Sequence, residues 1–515
     1  MFLGLDSSTQ SLSALVIDPA AGITVAEASV NFGSDLPQYG SPSGFIPVGK
    51  HGEVHADPMM WLEALDMLLA KLSEKMDLGQ VTAIAGSGQQ HGSVYLNSNF
   101  SEALSGLGSA EGLRSAFSGV FSRKTSPIWM DTSTGEECVE ITAEMNGSEE
   151  VCSRSGSIAV ERFTGPQIRR FSKADPEGYA KTSEIHLVSS FIATVLAGKS
   201  IPIDYGDGAG MNLMNLRELD WDEGLLKATA EGLSERLPAL SSCLSSQGTV
   251  SSYFVKKYGF SPDCAVCPFT GDNPASLVGM GATSPGQIVI SLGTSDTFFA
   301  AMPEPKTDPQ GFGHVFGNPA GGFMSLICFR NGSLAREALR DELGVGWDAF
   351  DTGSLEETLG SAGKNLTLPF YGAEITPRFD FNSPVTDFSE EVTSALRIRS
   401  LLEGQFLNMK LHSAWMGVAP ERIRLTGGAA QNDGIAQLVA DVFQAPVERL
   451  EVANSAALGA ALIAATAGGG EFVGLQEIFC KSTPGSLLMP NTDLAGNYST
   501  ALVEFEKLLG KTTNA

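Results

Sequence analysis

The stretch Leu3-Gly4-Leu5-Asp6-Ser7-Ser8-Thr9-Gln10-Ser11 leads directly into a second apolar segment, Leu12 to Ile17. A related pattern occurs far downstream, where Ile290-Ser291-Leu292-Gly293-Thr294-Ser295-Asp296-Thr297 leads into Phe298 to Met302. Each copy has an apolar run, a polar turn and another apolar run, which predicts two β-strands joined by a hairpin. The repeat predicts a two-lobed α/β protein with a similar hairpin in each half and a cleft between the lobes.

Both polar turns have the chemistry of phosphate-binding loops. Their small side chains let exposed backbone amides approach phosphate oxygens closely. Asp6 stands at the mouth of the first turn, where it could hold Mg²⁺ through water molecules. Turns rich in Ser, Thr and Asp are also ordinary hairpin chemistry. Each turn alone therefore predicts only a hairpin, and it is their pairing that favours an ATP-binding protein. The sequence contains no GxxxxGK[ST] motif, which excludes a P-loop.

Length and charge narrow the class of protein. The 515 residues suit two domains, and 43% hydrophobic with 18% charged residues indicates a globular chain. The formal net charge of -26 repels nucleic acid and anionic membranes, so neither is a predicted partner. An anionic nucleotide must then be held by local features such as backbone amides and a metal ion. The sequence makes no prediction of oligomeric state.

Compartment signals point to the cytoplasm. The seven cysteines include one close pair, Cys264 and Cys267, without a second pair to complete a zinc site, so we expect reduced thiols. Asp6 interrupts the first apolar stretch and no basic segment precedes it, which argues against a signal peptide. The apolar stretch 453–470 is rich in small residues and carries polar ones, which predicts a packed core helix and not a membrane span.

Local patterns predict the main elements and their boundaries. Strands are expected at 2–5, 12–17, 23–32, 81–85 and 423–425. Helices are expected after the cap Asp57, at 433–443, and from a Ser455 cap to 468–470. Residues 98–126 are rich in Ser and Gly and are interpreted as a surface excursion. Pro285-Gly286 is the expected hinge, giving domains at 1–284 and 285–515.

Three residues are candidates for chemistry on a bound hydroxyl compound. Asp272 lies in Gly271-Asp272-Asn273-Pro274, where an Asp usually caps its own turn but could also accept a proton in phosphoryl transfer. His91 follows a predicted strand and could bind a hydroxyl, although such a residue is often only a satisfied hydrogen-bonding group. Arg162 alone would be interpreted as a solvated surface charge.

Ten segments in order carry a resemblance to a known family: 3–11, 87–95 (SGQQHGSVY), 129–134 (WMDTST), 162–168 (RFTGPQI), 204–213 (DYGDGAGMNL), 271–276 (GDNPAS), 291–297 (SLGTSDT), 331–333 (NGS), 427–432 (GGAAQN) and 454–456. The chain resembles the FGGY carbohydrate kinases of the actin/hexokinase-like superfamily. Within that family it is similar to the eukaryotic branch that phosphorylates the ketopentose D-xylulose. The resemblance runs almost end to end.

The resemblance implies a ribonuclease-H-like α/β core in each domain, with sugar and ATP meeting in the cleft. It implies Asp272 as the general base for the C5 hydroxyl. It also implies ATP and Mg²⁺ as cofactors, with Mg²⁺ held by Asp6 through water. The implied contacts to the sugar are His91, Arg162, Asp272 and Asn273. The implied contacts to ATP are Ser8, Thr9, Gln10, Gly293, Thr294, Trp347, Gly427, Gly428 and Asn432.

Departures from the family pattern separate its branches. Many members, including glycerol kinases, have Arg where this chain has Ser133, which argues against a glycerol kinase. Bacterial ketopentose kinases tend to have Met where this chain has Gln90. Residues 98–126 and 335–395 match poorly and, apart from Trp347, receive no predicted role. A kinase for another ketose or polyol, and a sugar or nucleotide sensor on the same fold, remain as alternatives. An actin-like or chaperone-like ATPase would lack the sugar-binding residues.

Overall fold

The computed structural model describes residues 1–46, 49–388, 392–450 and 454–513 of the chain. Its strands are β1 (Phe2–Ser7), β2 (Ser11–Asp18), β3 (Ile23–Asn31), β4 (His55–Ala56), β5 (Ala83–Gly88), β6 (Ser93–Asn97), β7 (Ser126–Pro127), β8 (Thr182–Leu187), β9 (Ile203–Asp204), β10 (Met214–Asn215), β11 (Asp220–Trp221), β12 (Leu240–Ser241), β13 (Gly248–Thr249), β14 (Ala265–Val266), β15 (Thr270–Gly271), β16 (Gln287–Leu292), β17 (Asp296–Met302), β18 (His314–Gly317), β19 (Phe323–Phe329), β20 (Thr367–Leu368), β21 (Ala373–Ile375), β22 (Arg378–Asp380), β23 (Val385–Thr386), β24 (Arg422–Thr426) and β25 (Val447–Arg449).

Its α-helices are α1 (Phe32–Asp35), α2 (Pro58–Ser73), α3 (Asn99–Gly106), α4 (Leu113–Ala116), α5 (Gly135–Glu144), α6 (Ser148–Ser155), α7 (Thr164–Ala174), α8 (Pro176–Ala180), α9 (Val188–Ala197), α10 (Tyr205–Gly208), α11 (Glu223–Thr229), α12 (Ser252–Tyr258), α13 (Asp272–Gly279), α14 (Ser333–Leu343), α15 (Thr352–Glu357), α16 (Ser394–Ser413), α17 (Asp433–Phe443), α18 (Ser455–Ala467), α19 (Phe472–Phe479) and α20 (Ala495–Thr513). The alternation of helices and strands confirms the predicted α/β class.

The chain divides into two compact units that are not continuous in sequence. The first unit contains 1–281, 315–323 and 452–480. The second unit contains 282–314, 324–451 and 481–515. The change of unit after Gly281 lies close to the expected hinge at Pro285-Gly286. The assignment of domains to 1–284 and 285–515 stays a prediction, because later segments return to the first unit.

The sheet of the first unit is built on the predicted hairpin. β1, β2 and β3 form an antiparallel meander, as the alternating pattern predicted. β1 also pairs in parallel with β5, and β14 and β15 pair in parallel with β5. β5 begins two residues later than the predicted strand 81–85 and continues to Gly88. The carboxyl ends of β1, β5 and β15 therefore meet at one edge of the sheet.

The second unit repeats this connectivity. β16 and β17 are antiparallel neighbours joined by the second polar turn, and β16 pairs in parallel with β24. β24 then pairs in parallel with β25. A hairpin strand flanked by an antiparallel and a parallel neighbour occurs in both units, β1 in the first and β16 in the second. The internal duplication inferred from the two turns is thus present in the sheet order.

Helix starts were predicted with mixed accuracy. α2 begins after Asp57, whose carboxylate accepts a hydrogen bond from the backbone N–H of Met59, as the cap signal predicted. α17 spans the predicted residues. The prediction that Ser455 caps α18 is wrong: Ser455 is the first helical residue and Asn454 occupies the cap position. Asn and Ser are both good caps, so local preference does not choose between them.

The prediction that residues 98–126 form a surface excursion is wrong. They include α3 and α4, and six of their apolar side chains are at most 7% exposed: Phe100, Leu104, Leu107, Leu113, Phe117 and Val120. All six belong to the hydrophobic core that also contains α2. The high content of Ser and Gly suggested an exposed segment, but its few apolar residues are enough to pack it against the core.

Three glycines bring α13, α18 and β1 into backbone contact. α18 is almost entirely buried and packs on α13 and β1. A Cβ atom on Gly459 of α18 would lie 1.8 Å from the carbonyl oxygen of Ala275, and one on Gly279 would lie 1.9 Å from that of Ser455. A Cβ on Gly4 of β1 would lie 2.1 Å from the carbonyl oxygen of Ala457. Only glycine permits this approach, and it fixes the helix that begins at Asp272.

The apolar stretch 453–470 forms a core helix as predicted, apart from Ala453, which lies outside the described residues. In the part of the chain that the structure describes, no helix has both the length and the apolar character needed to cross a bilayer.

Candidate active site

Asp272 stands at the edge of the first unit's sheet where three strands end. It follows β15 directly and is the first residue of α13. β15 pairs with Ser87 and Gly88 of β5, and on the other side of β5 the same two residues pair with Asp6 and Ser7 of β1. The two carboxylates, Asp6 and Asp272, thus flank the end of β5. Ligands of parallel α/β sheets bind at this edge.

The pKa values of Asp6 and Asp272 are both raised toward neutral pH. Burial, followed by the negative charge of Asp6, raises the pKa of Asp272 to about 7, although backbone N–H groups of Asn273 and Gln90 bond to its carboxylate. Burial raises the pKa of Asp6 to about 6 against the effect of a 2.8 Å hydrogen bond from the Ser87 hydroxyl. A carboxylate with a pKa near 7 is suited to accept a proton at neutral pH.

Asn273 is held in place by Gln90. The Asn273 Nδ2 donates to Gln90 Oε1 at 2.8 Å and to Asp272 Oδ1 at 3.1 Å. The amide nitrogen of Gln90 donates to the carbonyl of Gly206 at 3.4 Å. A Cβ on Gly271 would lie 2.4 Å from the Cγ of Gln90, so the Gln90 side chain is closely confined. Gln90 therefore orients the amide of Asn273 beside Asp272.

His91 is a neutral hydrogen-bond acceptor. Its side chain is 6% exposed and stacks on Phe163, with ring centroids 4.2 Å apart. His91 Nδ1 lies 2.7 Å from the carbonyl oxygen of Gly210, and a carbonyl only accepts, so Nδ1 carries the proton. Burial, followed by the positive charge of Arg162, lowers the pKa of His91 to about 3. The lone pair on Nε2 is thus available to accept from a hydroxyl. His91 has φ of 73°, a sparsely populated conformation for a residue other than glycine.

Arg162 lies beside this pair, with its guanidinium carbon 5.7 Å from the centroid of the Phe163 ring. The preceding carbonyl, of Glu161, accepts from Gln167 Nε2 at 3.2 Å and from Thr134 Oγ1 at 2.5 Å. Gln167 Nε2 also donates to the buried Asp131 at 2.8 Å. The backbone that carries Arg162 is therefore anchored to the segment 129–134.

Ser133 completes the anchor in this segment. Its hydroxyl donates to Asp131 Oδ1 at 2.6 Å, and its backbone N–H donates to the same oxygen at 2.9 Å. A short hydroxyl turned onto Asp131 cannot reach a ligand as a long Arg side chain would. The departure at this position thus removes one cationic donor from the neighbourhood of Arg162.

Two side chains of the first polar turn, Ser8 and Thr9, already form hydrogen bonds within the protein. The Ser8 hydroxyl donates to the carbonyl of Ser11 at 3.0 Å, which closes the turn. Thr9 Oγ1 accepts from the indole N–H of Trp129 at 2.8 Å. Gln10 is exposed. The turn is thus rigid at Ser8 and Thr9, and its outer side is open to a ligand.

The second unit contains a cavity of about 470 Å³ beside the turn that holds Gly427 and Gly428. Its walls come from α14, α17 and the segments around Trp347 and Gly428; the lining residues are Ser333, Arg336, Trp347, Phe350, Asp351, Gly428, Ala429, Gln431, Asn432 and Ile435. Gly427 has φ of 91°, and its Cβ would lie 2.4 Å from the carbonyl oxygen of Leu292, so a side chain is excluded there. Trp347 is 46% exposed and its ring lies 4.5 Å from the guanidinium of Arg340.

Asn432 organises one wall of this cavity. It caps α17 by accepting from the backbone N–H of Ile435 at 3.0 Å, and its Nδ2 donates to Asp351 Oδ1 at 2.9 Å. The structure thus brings together Trp347, Gly428 and Asn432, which sequence separates by up to 85 positions. An open apolar ring beside glycine backbone and polar amides suits a nucleoside.

A divalent cation fits the chemistry of Asp6. Its half-buried carboxylate lies at the carboxyl end of β1 and has one hydrogen bond from a neutral hydroxyl. Desolvation raises its pKa, so a cation would relieve the cost of its charge. Within the described residues there is no group of three or more metal-ligating side chains. This arrangement suits Mg²⁺, which is usually held by one or two carboxylates, water and substrate phosphates.

Sequence reasoning missed several residues of the site. Gln90 and Phe163 lie beside predicted residues within the quoted segments, but only the fold shows that they hold Asn273 and His91. Gly210 lies in the segment 204–213 and was given no role, yet its carbonyl sets the tautomer of His91. Arg336 lies in the region that matched the family poorly, yet it lines the cavity.

Comparisons with known proteins show which family the chain is similar to. The family models for the N-terminal and C-terminal domains of the FGGY family of carbohydrate kinases match residues 125–279 and 288–468. The chain is 40% identical to the xylulose kinase of Rattus norvegicus, covering 98% of this chain and 96% of that one. It is 40% identical to xylulose kinase 2 of Arabidopsis thaliana, covering 90% and 87%.

A solved structure supports the fold alone. The crystal structure of xylulose kinase from Rhodospirillum rubrum matches with a TM-score of 0.82 at 21% identity, covering 99% of this chain and 98% of that one. The two-domain α/β fold predicted from the paired hairpins is confirmed by this likeness.

Proposed function

Because the chain belongs to the FGGY family of carbohydrate kinases, we propose that it transfers the γ-phosphate of ATP to the C5 hydroxyl of D-xylulose, giving D-xylulose 5-phosphate and ADP. The observation that carries the choice of sugar is the 40% identity to a xylulose kinase over 98% of the chain. Ser133, where glycerol kinases have Arg, supports a substrate other than glycerol. The proposal assigns the sugar to the first unit and the nucleoside to the second.

Asp272 is the proposed general base. Its pKa near 7 and its place at the end of β15 suit a group that takes the C5 hydroxyl proton as the oxygen attacks the γ-phosphorus. Asn273, oriented by Gln90, binds the sugar beside the base. Neutral His91 accepts from one hydroxyl through Nε2, and Arg162 donates to others through its planar guanidinium.

The proposed nucleotide contacts fall in both units. In the second unit, Trp347, Gly427, Gly428 and Asn432 hold the adenosine, and Gly293 with Thr294 binds phosphate. In the first unit, the turn of Ser8, Thr9 and Gln10 binds phosphate through the backbone amides of Thr9 and Gln10, since the backbone N–H of Ser8 donates to the carbonyl of Ser11. Asp6 holds Mg²⁺ through water. When bound, Mg²⁺ neutralises phosphate charge and so supports attack by the hydroxyl.

The pH dependence follows from the base. Below about pH 7 the Asp272 carboxyl is protonated and cannot accept a proton, so kcat/KM for the sugar should rise with pH up to about 7 and then level off. A cation bound at Asp6 would reduce the repulsion between the charges of Asp6 and Asp272. The rise of kcat/KM would then occur at lower pH, but activity would still increase with pH. Activity assays from pH 5 to 9 check the prediction; activity that falls as pH rises from 5 to 7 would contradict it.

A sugar panel tests the substrate. D-xylulose, D-ribulose, L-ribulose, xylitol and glycerol are each incubated with ATP and Mg²⁺, ADP is measured by a coupled assay, and the phosphate position is found by NMR. The highest kcat/KM should belong to D-xylulose, with phosphate on C5. A higher kcat/KM for another ketose or polyol would show that the proposed sugar is wrong, while the proposed phosphoryl transfer from ATP would stand. Nucleotide binding without a phosphorylated product would indicate a sensor.

A further inference from the structure

Beneath the second polar turn lies an ion pair that is almost completely buried. Arg336 of α14 and Asp296 of β17 are each 1% exposed. Arg336 Nη1 donates to Asp296 Oδ2 at 3.0 Å, and Nη2 donates to Oδ1 at 2.9 Å. The contact is bidentate, which is the geometry that best restricts both side chains. The pair is enclosed: a Cβ on Gly332 would lie 2.6 Å from Asp296 Oδ1.

The ion pair holds Gly293, the first residue of the turn, from both sides. The carbonyl of Gly293 accepts from Arg336 Nη2 at 3.4 Å and from the backbone N–H of Ser333 at 2.9 Å. The backbone N–H of Gly293 donates to the Asp296 carboxylate. The next two residues, Thr294 and Ser295, are exposed. One end of the turn is thus fixed while its tip faces solvent.

The same guanidinium connects the turn to the nucleoside cavity. Arg336 lines that cavity, and its Nη1 also donates to Gln405 Oε1 at 2.9 Å. Gln405 Nε2 in turn donates to the carbonyls of Asn331 at 2.7 Å and Gly332 at 3.0 Å. A continuous network of hydrogen bonds therefore runs from the turn to the start of α14, at the cavity wall.

Stability alone does not require charges here. Well-packed apolar residues are often as stable as a buried ion pair, because removing two charges from water is costly. The pair instead provides fixed directions for the peptide groups of the turn. Preorganised amides stabilise phosphate charge without reorganising when it arrives.

We propose that Arg336 and Asp296 are positioning residues that hold Gly293 so that the amides of Thr294 and Ser295 meet the phosphates of a nucleotide whose nucleoside occupies the cavity. This role rests on the proposed function, since it takes the ligand of the second unit to be ATP. Although Arg336 lines the cavity, its Nη1 and Nη2 donate to Asp296, Gln405, Gly293 and Ser333, so the pair acts on the phosphates through the turn. Its loss should therefore weaken phosphate-bearing ligands selectively.

Calorimetric titration of the full chain with adenosine, ADP and a non-hydrolysable ATP analogue tests this role. In Asp296→Asn and Arg336→Lys, the Kd for ADP and for the analogue should rise about tenfold or more, while the Kd for adenosine changes less than about twofold. The KM for ATP should rise by a similar factor to the Kd for ADP, and the KM for the sugar should be unchanged. Keeping the positive charge in Arg336→Lys should not preserve the affinity for ADP, because an ammonium group cannot reproduce the bidentate contact.

Glu403→Gln is the matched control. Glu403 accepts from Arg399 Nη1 at 2.9 Å in another buried ion pair of the same unit, and its further partners are Tyr498 and Gly363, away from the turn. This variant should lose thermal stability like Asp296→Asn yet keep the Kd for ADP.

Unchanged Kd values in Asp296→Asn and Arg336→Lys would overturn the proposal, as would equal weakening of adenosine or the same loss in Glu403→Gln. If the wild type binds ADP in the expected pattern but phosphorylates no sugar, the proposed function fails and the positioning role stands.

Discussion

Asp272→Asn should lower kcat for phosphoryl transfer to D-xylulose by about 10²–10⁴-fold, the usual contribution of a general base. Asn keeps the size of the side chain and cannot accept the hydroxyl proton. The variant should unfold at the same or a higher temperature above pH 7, because burial raises the pKa of Asp272 and the variant avoids ionising a buried carboxyl. Coupled ADP assays and thermal unfolding at pH 8 check both parts. Asp272→Ala should lose at least as much activity as Asp272→Asn and remain folded.

Asp207→Asn is the control for charge. Asp207 is fully buried in the same unit and accepts from the hydroxyl of Ser189. Burial raises the pKa of Asp207 well above its ordinary range. Its amide has the same size and changes a carboxyl other than the proposed base, so this variant should retain most of the activity. Near-normal turnover in Asp272→Asn would remove Asp272 from the mechanism. An equal loss in both variants would mean that the measured effect comes from altered packing.

Gly459→Ala should destabilise the first unit by about 1–3 kcal/mol, the range for overpacked sites. The new Cβ would lie 1.8 Å from the carbonyl oxygen of Ala275, and a backbone atom cannot turn aside as a flexible side chain can. Relief requires α13 to shift away from α18. Because α13 begins at Asp272, kcat should fall as well, while the Kd for adenosine in the second unit is unchanged. Urea unfolding and steady-state kinetics measure the two effects.

Gly496→Ala provides the comparison. Gly496 is exposed in α20, and a Cβ there would contact nothing within 4 Å. Alanine in an open helical position should raise the free energy of unfolding by up to about 1 kcal/mol. If Gly459→Ala were as stable as the wild type, the close approach of α13 and α18 in the structure would be incorrect.

Elements determined by local chemistry could be predicted from the sequence. The cap Asp57 and the apolar stripe of α2 act within a few residues, and the hairpins depend on short turns. The segment 98–126 could not, because its few apolar residues gain their burial from α2, far away in sequence. The choice between Asn454 and Ser455 as a cap depends on how α18 packs, and both residue types suit that position.

The candidate site shows the same division. The residue types at Asp272 and His91 suggested a base and a hydroxyl ligand. The neutral state of His91 follows from burial and from the charge of Arg162, and its tautomer follows from the Gly210 carbonyl; no short-range pattern encodes these contacts. Arg336 and Asp296 are 40 positions apart, and an Arg in an amphipathic helix such as α14 would ordinarily face solvent. Long-range contacts decide these features, so they required the fold.

The backbone contact between β1, α13 and α18 also sets an order of events during synthesis. β1 and α13 leave the ribosome before their partner α18, which begins 176 residues after the end of α13. At about 5–20 residues per second, the glycine face of β1 and α13 waits about 10–35 s for the helix that covers it. In that interval the nascent chain leaves uncovered the apolar side chains that α18 buries in the final fold, such as Val278, and a chaperone would be expected to shield them.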